Sequence, residues 1–378
     1  MPGHSPGVQG LSVASPWVDQ EKNTQQRIGQ RVIFLKNRVF YRTSGVILRF
    51  YSLCLDCKLY FGDKSADMEN ILELTDVVKN YQTTKAVDHV SFSMPKGSIF
   101  GMLGPNGAGK TSLIRIITRI TRADSGRILI NGIPLNDDHP EEIGYMPEER
   151  GLYKKMKVGD HLIYLARLKG LSEKAAKDAI HQWMDKFEIS DWWNKKVEEL
   201  SKGMQQKVQF IATVVHRPNL IILDEPFSGL DPINANLIKD EIDHLRQQGT
   251  SIIFSTHRME QVEEICERIV LINRGQNVLE GNVREIKQAQ KQNLFRYNLA
   301  GEVPAGVLEG KEVIDHTPGS LTLRFSEERD SNIFLKTLVD AGAYVQGFEE
   351  ILPSLNEIFI RTVQSQGMTI DQPINAPS

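Results

Sequence analysis

The sequence predicts an α/β domain with an inserted helical subdomain, followed by a small α+β domain. Three observations indicate this fold class. Over residues 68–290, short runs rich in β-branched residues alternate with helical patterns, which is typical of an α/β sandwich. At about residues 151–215 the alternation stops and helical patterns follow one another. A separate pattern of strands and helix occupies about residues 293–362.

Six apolar segments predict the strands of the first domain. In chain order they are ILELTDVV, SIFGML, GRILIN, LIILDE, SIIFST and RIVLIN. In the helical subdomain, VGDHLIYLARLKG and SEKAAKDAIHQWMDKFEI have the spacing of amphipathic helices, and Ser172 is a suitable N-cap for the second. We expect Trp183, Trp192 and Trp193 to pack within this subdomain.

The second domain is predicted from three strand-like segments, NLFRYNLAG, GSLTLRFS and YVQGFEE, and one helical segment, NIFLKTLVDAG. LPSLNEIFIRTV closes this domain. Residues 363–378 are polar and are expected to be disordered.

Residues 1–67 differ from the rest of the chain. They are rich in Ser, Gly, Pro and Gln at first, and then basic. They fit a targeting or membrane-surface arm, a metal site at CLDC, or a poorly ordered or spurious extension. A zinc site needs four ligands, and neither a second CxxC nor a nearby histidine pair follows. The extension is favoured, because a strand-like segment begins directly after Met68.

Composition is that of an ordinary soluble globular protein, with 40% hydrophobic and 25% charged residues. The formal net charge of −3 gives no reason to expect a nucleic-acid partner. No segment reaches the roughly 18 uninterrupted apolar residues of a membrane span. Residues 45–61 come nearest, but charged side chains interrupt them. Three cysteines suit a reducing compartment, and Cys266 is expected to be a buried apolar side chain.

Residues 104–111, GPNGAGKT, match the phosphate-binding pattern GxxxxGK[ST] between a strand and a helix. The glycines let backbone N–H groups turn towards phosphate oxygens, and the helix N-terminus adds its dipole. Lys110 is expected to reach the β- and γ-phosphates, and Thr111 to bind Mg²⁺. The predicted nucleotide-binding residues here are Gly104, Pro105, Asn106, Gly107, Ala108, Gly109, Lys110, Thr111 and Ser112.

Two carboxylates end the strand in LIILDEP. Asp224 is placed to hold Mg²⁺, and Glu225 to polarise the attacking water. Acids at a strand end also serve as caps or turn formers, but the phosphate-binding loop favours the catalytic interpretation. His257 follows the strand SIIFST. A lone histidine is usually structural. If its strand lies beside the phosphate-loop strand, it can bond the γ-phosphate.

A second anion-binding helix start is predicted at LSKGMQQK, residues 200–207, where Ser201 and Gly203 precede an amphipathic pattern. Together with SGLD at 228–231, these motifs occur in the order and spacing of an ABC-type ATPase, which residues 70–285 resemble. LSKGMQQK is similar to the signature motif of that family, LSGGQ, with Lys202 and Met204 as departures.

The resemblance implies that Ser201 and Gly203 touch nucleotide and that ATP and Mg²⁺ are the ligands. It implies that Tyr81 stacks on adenine, although a packed surface tyrosine is the alternative. Asp231 matches the loop that links the two sites of a dimer. The resemblance places the signature far from the phosphate loop in one chain, so two chains must combine head to tail.

One position departs from the family in a way that bears on chemistry. In GYMPEER, Glu148 stands where the family usually has Gln. A carboxylate can also bind Mg²⁺ through oxygen, so Glu148 joins Thr111 and Asp224 as a predicted metal ligand. GYMPEERGLY and LPSLNEIFIRTV resemble exporter-type, sodium-exporter-like members of the family, which carry an extra C-terminal domain.

The resemblance implies an ATP-hydrolysing subunit of an exporter at the cytoplasmic face of the cell membrane. Its expected partners are an integral-membrane permease and a second ATP-binding subunit. A second copy of the chain is favoured as that subunit, and a related chain is the alternative. Glu225, His257 and Lys110 are its expected catalytic residues. The alternatives are a soluble ABC ATPase acting on ribosomes or DNA, and a regulatory subunit that hydrolyses ATP weakly. The chain has a single cassette, and only about ninety residues lie between the phosphate loop and the signature. Both facts argue against an ATPase acting on ribosomes or DNA. Glu148 is the one feature that suggests the regulatory subunit.

Overall fold

The computed structural model describes residues 69–149, 151–304 and 306–365, together with the backbone of three short strands before them. Those strands, β1 (Arg31–Leu35), β2 (Arg38–Thr43) and β3 (Val46–Leu48), form an antiparallel sheet. The chain divides into two compact units, Met1–Asp67 and Met68–Ser378. The rest of the predicted N-terminal extension, including the CLDC motif, and the tail beyond residue 365 lie outside the described residues.

The second unit alternates strands and helices as the sequence predicts. Its strands are β4 (Asn70–Tyr81), β5 (Thr84–Pro95), β6 (Ile99–Leu103), β7 (Ser125–Ile130), β8 (Ile133–Pro134), β9 (Ile143–Met146), β10 (Leu220–Asp224), β11 (Ser251–Thr256), β12 (Arg268–Asn273), β13 (Gln276–Asn282), β14 (Leu294–Ala300), β15 (Glu312–Thr317), β16 (Ser320–Arg324) and β17 (Tyr344–Ile351). Its helices are α1 (Lys110–Ile117), α2 (His139–Glu142), α3 (Val158–Leu168), α4 (Glu173–Lys186), α5 (Lys202–Val214), α6 (Pro232–Gln247), α7 (Met259–Ile265), α8 (Val283–Ala289), α9 (Glu328–Asp340) and α10 (Leu355–Ser365).

A six-stranded sheet in the order β13-β12-β6-β11-β10-β9 forms the centre of this unit. Its neighbouring strands are parallel except for β12 and β13. The strands β6, β10 and β11 are buried along their whole length, which explains why their sequences are almost continuously apolar. Strand β11 pairs with β6, and the predicted role of His257 depends on this pairing.

An antiparallel sheet in the order β5-β4-β7-β8 shares a hydrophobic core with the central sheet and α1. Phe92 on β5 stacks on Phe100 of β6, with ring centroids 5.3 Å apart. Leu113 and Ile117 bury the apolar face of α1 in the same core. This packing fixes the start of α1 at the end of β6, where the phosphate-binding loop lies.

The helical subdomain contains α3, α4 and α5, which pack into a second core cluster. The Ser172 hydroxyl accepts a hydrogen bond from Ala175 N (3.3 Å) at the start of α4, so the predicted N-cap is confirmed. Trp183, Trp192 and Trp193 are partly buried against this cluster, as expected.

The C-terminal strands form a four-stranded antiparallel sheet in the order β15-β16-β14-β17. Helix α9 packs on it around Tyr297 and Phe334, whose rings lie 5.2 Å apart. The last helix, α10, does not pack on this sheet but against the first domain. Its buried residues Leu355 and Phe359 belong to the same core cluster as Met259 on α7 of the first domain. No motif in the sequence indicates this return contact.

Across the parts of the chain that the structure describes, no helix is long and apolar enough to cross a membrane.

Candidate active site

The site is built at the carboxyl edge of the central sheet. The phosphate-binding loop follows β6, Asp224 ends β10, and His257 follows β11. Because β11 lies between β6 and β10, these segments leave the sheet side by side. The edge where parallel strands end is the usual ligand-binding region of such sheets.

Two glycines of the loop are required by close backbone contacts. A Cβ added to Gly104 would lie 2.1 Å from the carbonyl oxygen of Ile272, and one added to Gly109 would lie 2.2 Å from that of Ala86. Both glycines also have positive φ angles, 149° and 109°, which side chains disfavour. Larger residues at these positions would displace the loop from β5 and β12.

Lys110 is the first residue of α1 and is 7% exposed. Its Nζ donates hydrogen bonds to the carbonyl oxygens of Gly104 (2.6 Å) and Pro105 (3.1 Å). Burial lowers the pKa of Lys110, while the carboxylates of Glu225 and Asp224 oppose that shift. The lysine therefore places a positive charge inside the loop, where a phosphate group can bind.

A pocket of about 500 Å³ opens in front of this loop. It brings together the predicted residues Asn106, Gly107, Ala108, Gly109, Lys110, Thr111, Ser112, Glu148, Asp224 and Glu225. The predicted residues Gly104, Pro105 and His257 do not line it but bond to residues that do.

Five further lining residues were not predicted from the sequence, namely Thr84, Lys85, Ala86, Arg274 and Gly275. They come from two hairpin turns that carry no motif. Hydrogen bonds hold these turns against the loop, from Gly275 N to Ala108 O and from Asp88 N to Gly275 O (both 2.8 Å).

Asp224 is 4% exposed at the end of β10. Ser255 on the neighbouring strand donates its hydroxyl to Asp224 Oδ1 (2.8 Å). Burial raises the pKa of Asp224, and the hydrogen bond from Ser255 opposes that rise. The bond to β11 engages one oxygen of this pocket-lining carboxylate, so the other oxygen can bind a ligand in the pocket.

Glu225 and His257 form a hydrogen-bonded pair. The distance between His257 Nδ1 and Glu225 Oε1 is 2.6 Å. The backbone N–H of His257 donates to the same oxygen (2.9 Å), and Thr256 Oγ1 donates to Oε2 (3.1 Å). The carboxylate is therefore fixed by β11 and the residue after it. Both residues were predicted to be catalytic, but their direct contact was not predicted.

Glu148 is exposed and lines the pocket. Its carboxylate contributes negative potential at Lys110 and Asp224. The preceding residue, Pro147, accepts a hydrogen bond from Gln209 Nε2 on α5 (2.7 Å). The position of Glu148 is thus linked to the helix that begins at the LSKGMQQK motif.

Ser201 and Gly203 do not line this pocket. The exposed Ser201 is the N-cap of α5, and its hydroxyl accepts a hydrogen bond from Met204 N (3.3 Å). Asp231 likewise caps α6, accepting from Ile233 N and Asn234 N (both 3.1 Å). Their roles at a nucleotide stay predictions.

Tyr81 also lies outside the pocket lining. It is the last residue of β4, and it pairs with Thr84, the first residue of β5, which does line the pocket. Tyr81 is 40% exposed, and Lys79 Nζ lies 5.5 Å from the centroid of its ring. Adenine stacking would require an exposed aromatic ring of this kind close to the nucleotide. That stacking stays a prediction.

Comparison with known proteins identifies the family. A family model described as ABC transporter matches residues 87–228. YhaQ of Bacillus subtilis, an uncharacterized ABC transporter ATP-binding protein, is 44% identical over 301 residues, which are 78% of this chain and 98% of YhaQ. The chain belongs to the ABC transporter ATP-binding proteins.

The C-terminal part of this ABC ATPase has its own relatives. Residues 281–363 match the family described as ATP-binding protein DrrA1-3-like, C-terminal domain. The daunorubicin/doxorubicin resistance ATP-binding protein DrrA of Streptomyces peucetius is 29% identical over 301 residues, covering 76% of this chain and 91% of DrrA. A solved ATP-binding subunit of an ABC transporter superposes with a TM-score of 0.55 at 29% identity, covering 58% of this chain and 92% of that subunit. The predicted fold, an ABC-type ATPase cassette with ATP as its nucleotide, is confirmed.

Proposed function

We propose that this ABC ATPase powers an exporter by closing on a second copy of itself when ATP binds. One observation carries the proposal: the phosphate-binding pocket and the capped start of α5 are separate places in the same chain. An anion-binding helix start with an exposed Ser201 has no phosphate to hold within the chain. A head-to-tail pair gives each helix start the γ-phosphate held by Lys110 of the other copy.

The residues of the pocket suit a Mg²⁺ ion. Hard oxygen ligands are what Mg²⁺ prefers, and Thr111, Glu148 and Asp224 supply a hydroxyl and two carboxylates around the same pocket. Ser255 bonds only one carboxylate oxygen of Asp224, so the other oxygen is available to the ion. When bound, Mg²⁺ would neutralise charge on the phosphate oxygens.

Glu225 is the proposed general base. Its carboxylate lines the pocket and is held by hydrogen bonds from Thr256 and His257. A carboxylate fixed in this way can orient a water molecule for attack on the γ-phosphate and accept its proton. His257, bonded to Glu225 here, is placed to exchange that bond for one to the γ-phosphate. Loss of the γ-phosphate would restore the Glu225–His257 bond, so the pair would sense hydrolysis.

Export through a separate permease is supported by similarity and by one exposed surface. DrrA, a relative over most of the chain, is named for drug resistance. On the helical subdomain, Tyr153, Tyr164 and Leu168 are 51%, 42% and 58% exposed, and Tyr153 follows the Glu148 segment closely in sequence. Exposed apolar side chains of this kind suit a protein interface. We assign this surface to an integral-membrane permease, which would hold the ATPase at the cytoplasmic face.

The dimer is tested with Glu225→Gln, which keeps the phosphate contacts while losing the proposed base. We expect ATP binding to persist, turnover to fall by roughly two orders of magnitude or more, and dimers to form only with ATP, measured by light scattering. Adding Ser201→Arg should abolish the dimer by filling the phosphate site, while each monomer still binds ATP. Wild-type turnover in Glu225→Gln would contradict the assignment of the base. Dimers that tolerate Ser201→Arg would contradict the role of α5.

A further inference from the structure

A second pocket, of about 270 Å³, lies beside the end of α1 and apart from the phosphate-binding pocket. Ile116, Ile128 and Leu135 form part of its apolar lining, and Arg119, Arg122 and Arg127 also line it. It shares no lining residue with the phosphate-binding pocket. The combination of aliphatic and guanidinium groups suits an anionic ligand with an apolar part.

The positive charge of this pocket is only partly neutralised. Residues 115–127 contain four arginines and one acid, Asp124. Lys79 Nζ bonds Asp124 (2.7 Å), and this hydrogen bond lowers the Asp124 pKa. Arg119 pairs with Asp137 (2.5 Å). Arg122 and Arg127 are exposed and have no acidic partner within the described residues, so both charges are available to a ligand.

Large apolar side chains flank the same arginines. Ile120, next to Arg119, is 62% exposed, and Ile133, next to the lining residue Pro134, is 55% exposed. Exposed isoleucines beside unpaired cations are typical of surfaces that lie on anionic membranes. None of the described lining residues is aromatic, whereas single-stranded nucleic acid is usually held by aromatic stacking.

We propose that this pocket binds an anionic phospholipid of the membrane surface. The lipid phosphate would lie on Arg122 and Arg127, and its glycerol and first methylenes on the apolar lining. The inference rests on the proposed function only in placing the protein at a membrane.

The test is co-sedimentation of the full chain with vesicles of phosphatidylcholine, alone or mixed equally with phosphatidylglycerol. Each basic residue near an anionic membrane contributes roughly a fivefold increase in binding. We therefore expect Arg122→Gln/Arg127→Gln to weaken binding to the mixed vesicles by roughly twenty-five-fold. The matched control Lys174→Gln/Arg284→Gln removes two exposed cations elsewhere and should change it little. Any contribution of the basic N-terminal segment is the same in every variant.

Two further measurements keep the assignment falsifiable. Ile120→Ser should also weaken binding several-fold, because an apolar contact is lost. Soluble glycerol phosphate should not displace the protein from vesicles. Displacement by glycerol phosphate would overturn the membrane assignment in favour of a small-anion site, and equal binding by the two double variants would overturn the pocket. The vesicle assay needs neither ATP nor permease, so its failure is distinguishable from failure of the ATP-dependent dimer.

Discussion

Glu225 has a left-handed backbone conformation, with φ of 51°, which is uncommon for a residue with a side chain and costs about 1–3 kcal/mol. Its backbone N–H donates to Ser255 O (2.9 Å), and its carboxylate accepts bonds from Thr256 and His257. The bonds on both sides hold the residue in this strained geometry. The turn after β10 thereby directs the carboxylate towards the phosphate-binding pocket, which is the position that the proposed general base needs.

Glu148 places a negative charge in the phosphate-binding pocket. Glu148→Gln keeps a side-chain oxygen but removes a negative charge from the pocket in front of the phosphate-binding loop. We expect the ATPase rate to be preserved or raised, and the KM for ATP to fall about two- to fivefold, as a screened charge repulsion would give. Steady-state kinetics checks this. Glu149→Gln, one residue further and outside the pocket lining, is the control. Complete loss of turnover with intact ATP binding would instead give Glu148 a role as a base.

Among the secondary-structure elements, α5 joins two parts of the site. Gln206 Nε2 donates to Pro226 O (2.9 Å), after the Glu225 turn, and Gln209 Nε2 donates to Pro147 O (2.7 Å), before Glu148. Both glutamines are buried. A displacement of α5 on dimer closure would therefore move the segments that carry Glu225 and Glu148, because these hydrogen bonds connect α5 to both segments.

Helix α10 is a second element with consequences beyond its own domain, since it ends the C-terminal domain in sequence yet packs against α7. Glu263 on α7 accepts a hydrogen bond from Leu355 N (2.6 Å) at the start of α10. Phe359 is 1% exposed in the shared core. The C-terminal sheet is thus joined to the first domain by the chain that precedes β14 and also by the packing of α10 on α7.

We therefore expect Phe359→Ala to destabilise the ATPase domain by about 3–5 kcal/mol. Chemical unfolding followed by tryptophan fluorescence measures this, because Trp183, Trp192 and Trp193 pack against the same core cluster. Ile333→Ala, at a position 61% exposed on α9, is the matched control and should cost under about 0.5 kcal/mol. An unchanged tryptophan transition would mean that α10 detaches independently of the first domain.

For the whole molecule, the division into two units gives a prediction about the N-terminus. All strands of the ATPase cassette lie after Met68. A chain beginning at Met68 should hydrolyse ATP as fast as the full chain, with a melting temperature within about 2 °C. Calorimetry and ATPase assays check this side by side. A much lower melting temperature for the shorter chain would show that residues 1–67 stabilise the second unit.

The local features of this protein are predictable from its amino-acid sequence alone. Apolar runs such as SIIFST predicted buried strands, because both faces of a covered parallel strand must be apolar. The motif GPNGAGKT predicted the phosphate-binding loop, because the glycines and the lysine that form it lie within eight consecutive residues. The family followed from motifs in order, and the comparisons confirmed it.

Which distant segments meet depends instead on the packing of the whole chain. Lys85 and Arg274 line the phosphate-binding pocket because two hairpins pack on the phosphate-binding loop, and neither hairpin has a motif. The Glu225–His257 bond depends on the register between β10 and β11, which periodicity does not specify. The apolar face of α10 predicts that the helix is buried on one side, but it does not indicate what covers that side. The packing of α10 against α7 therefore could not be predicted from the sequence. Burial is a property of one segment, whereas contact is a property of two, and the second is fixed only when the whole chain packs.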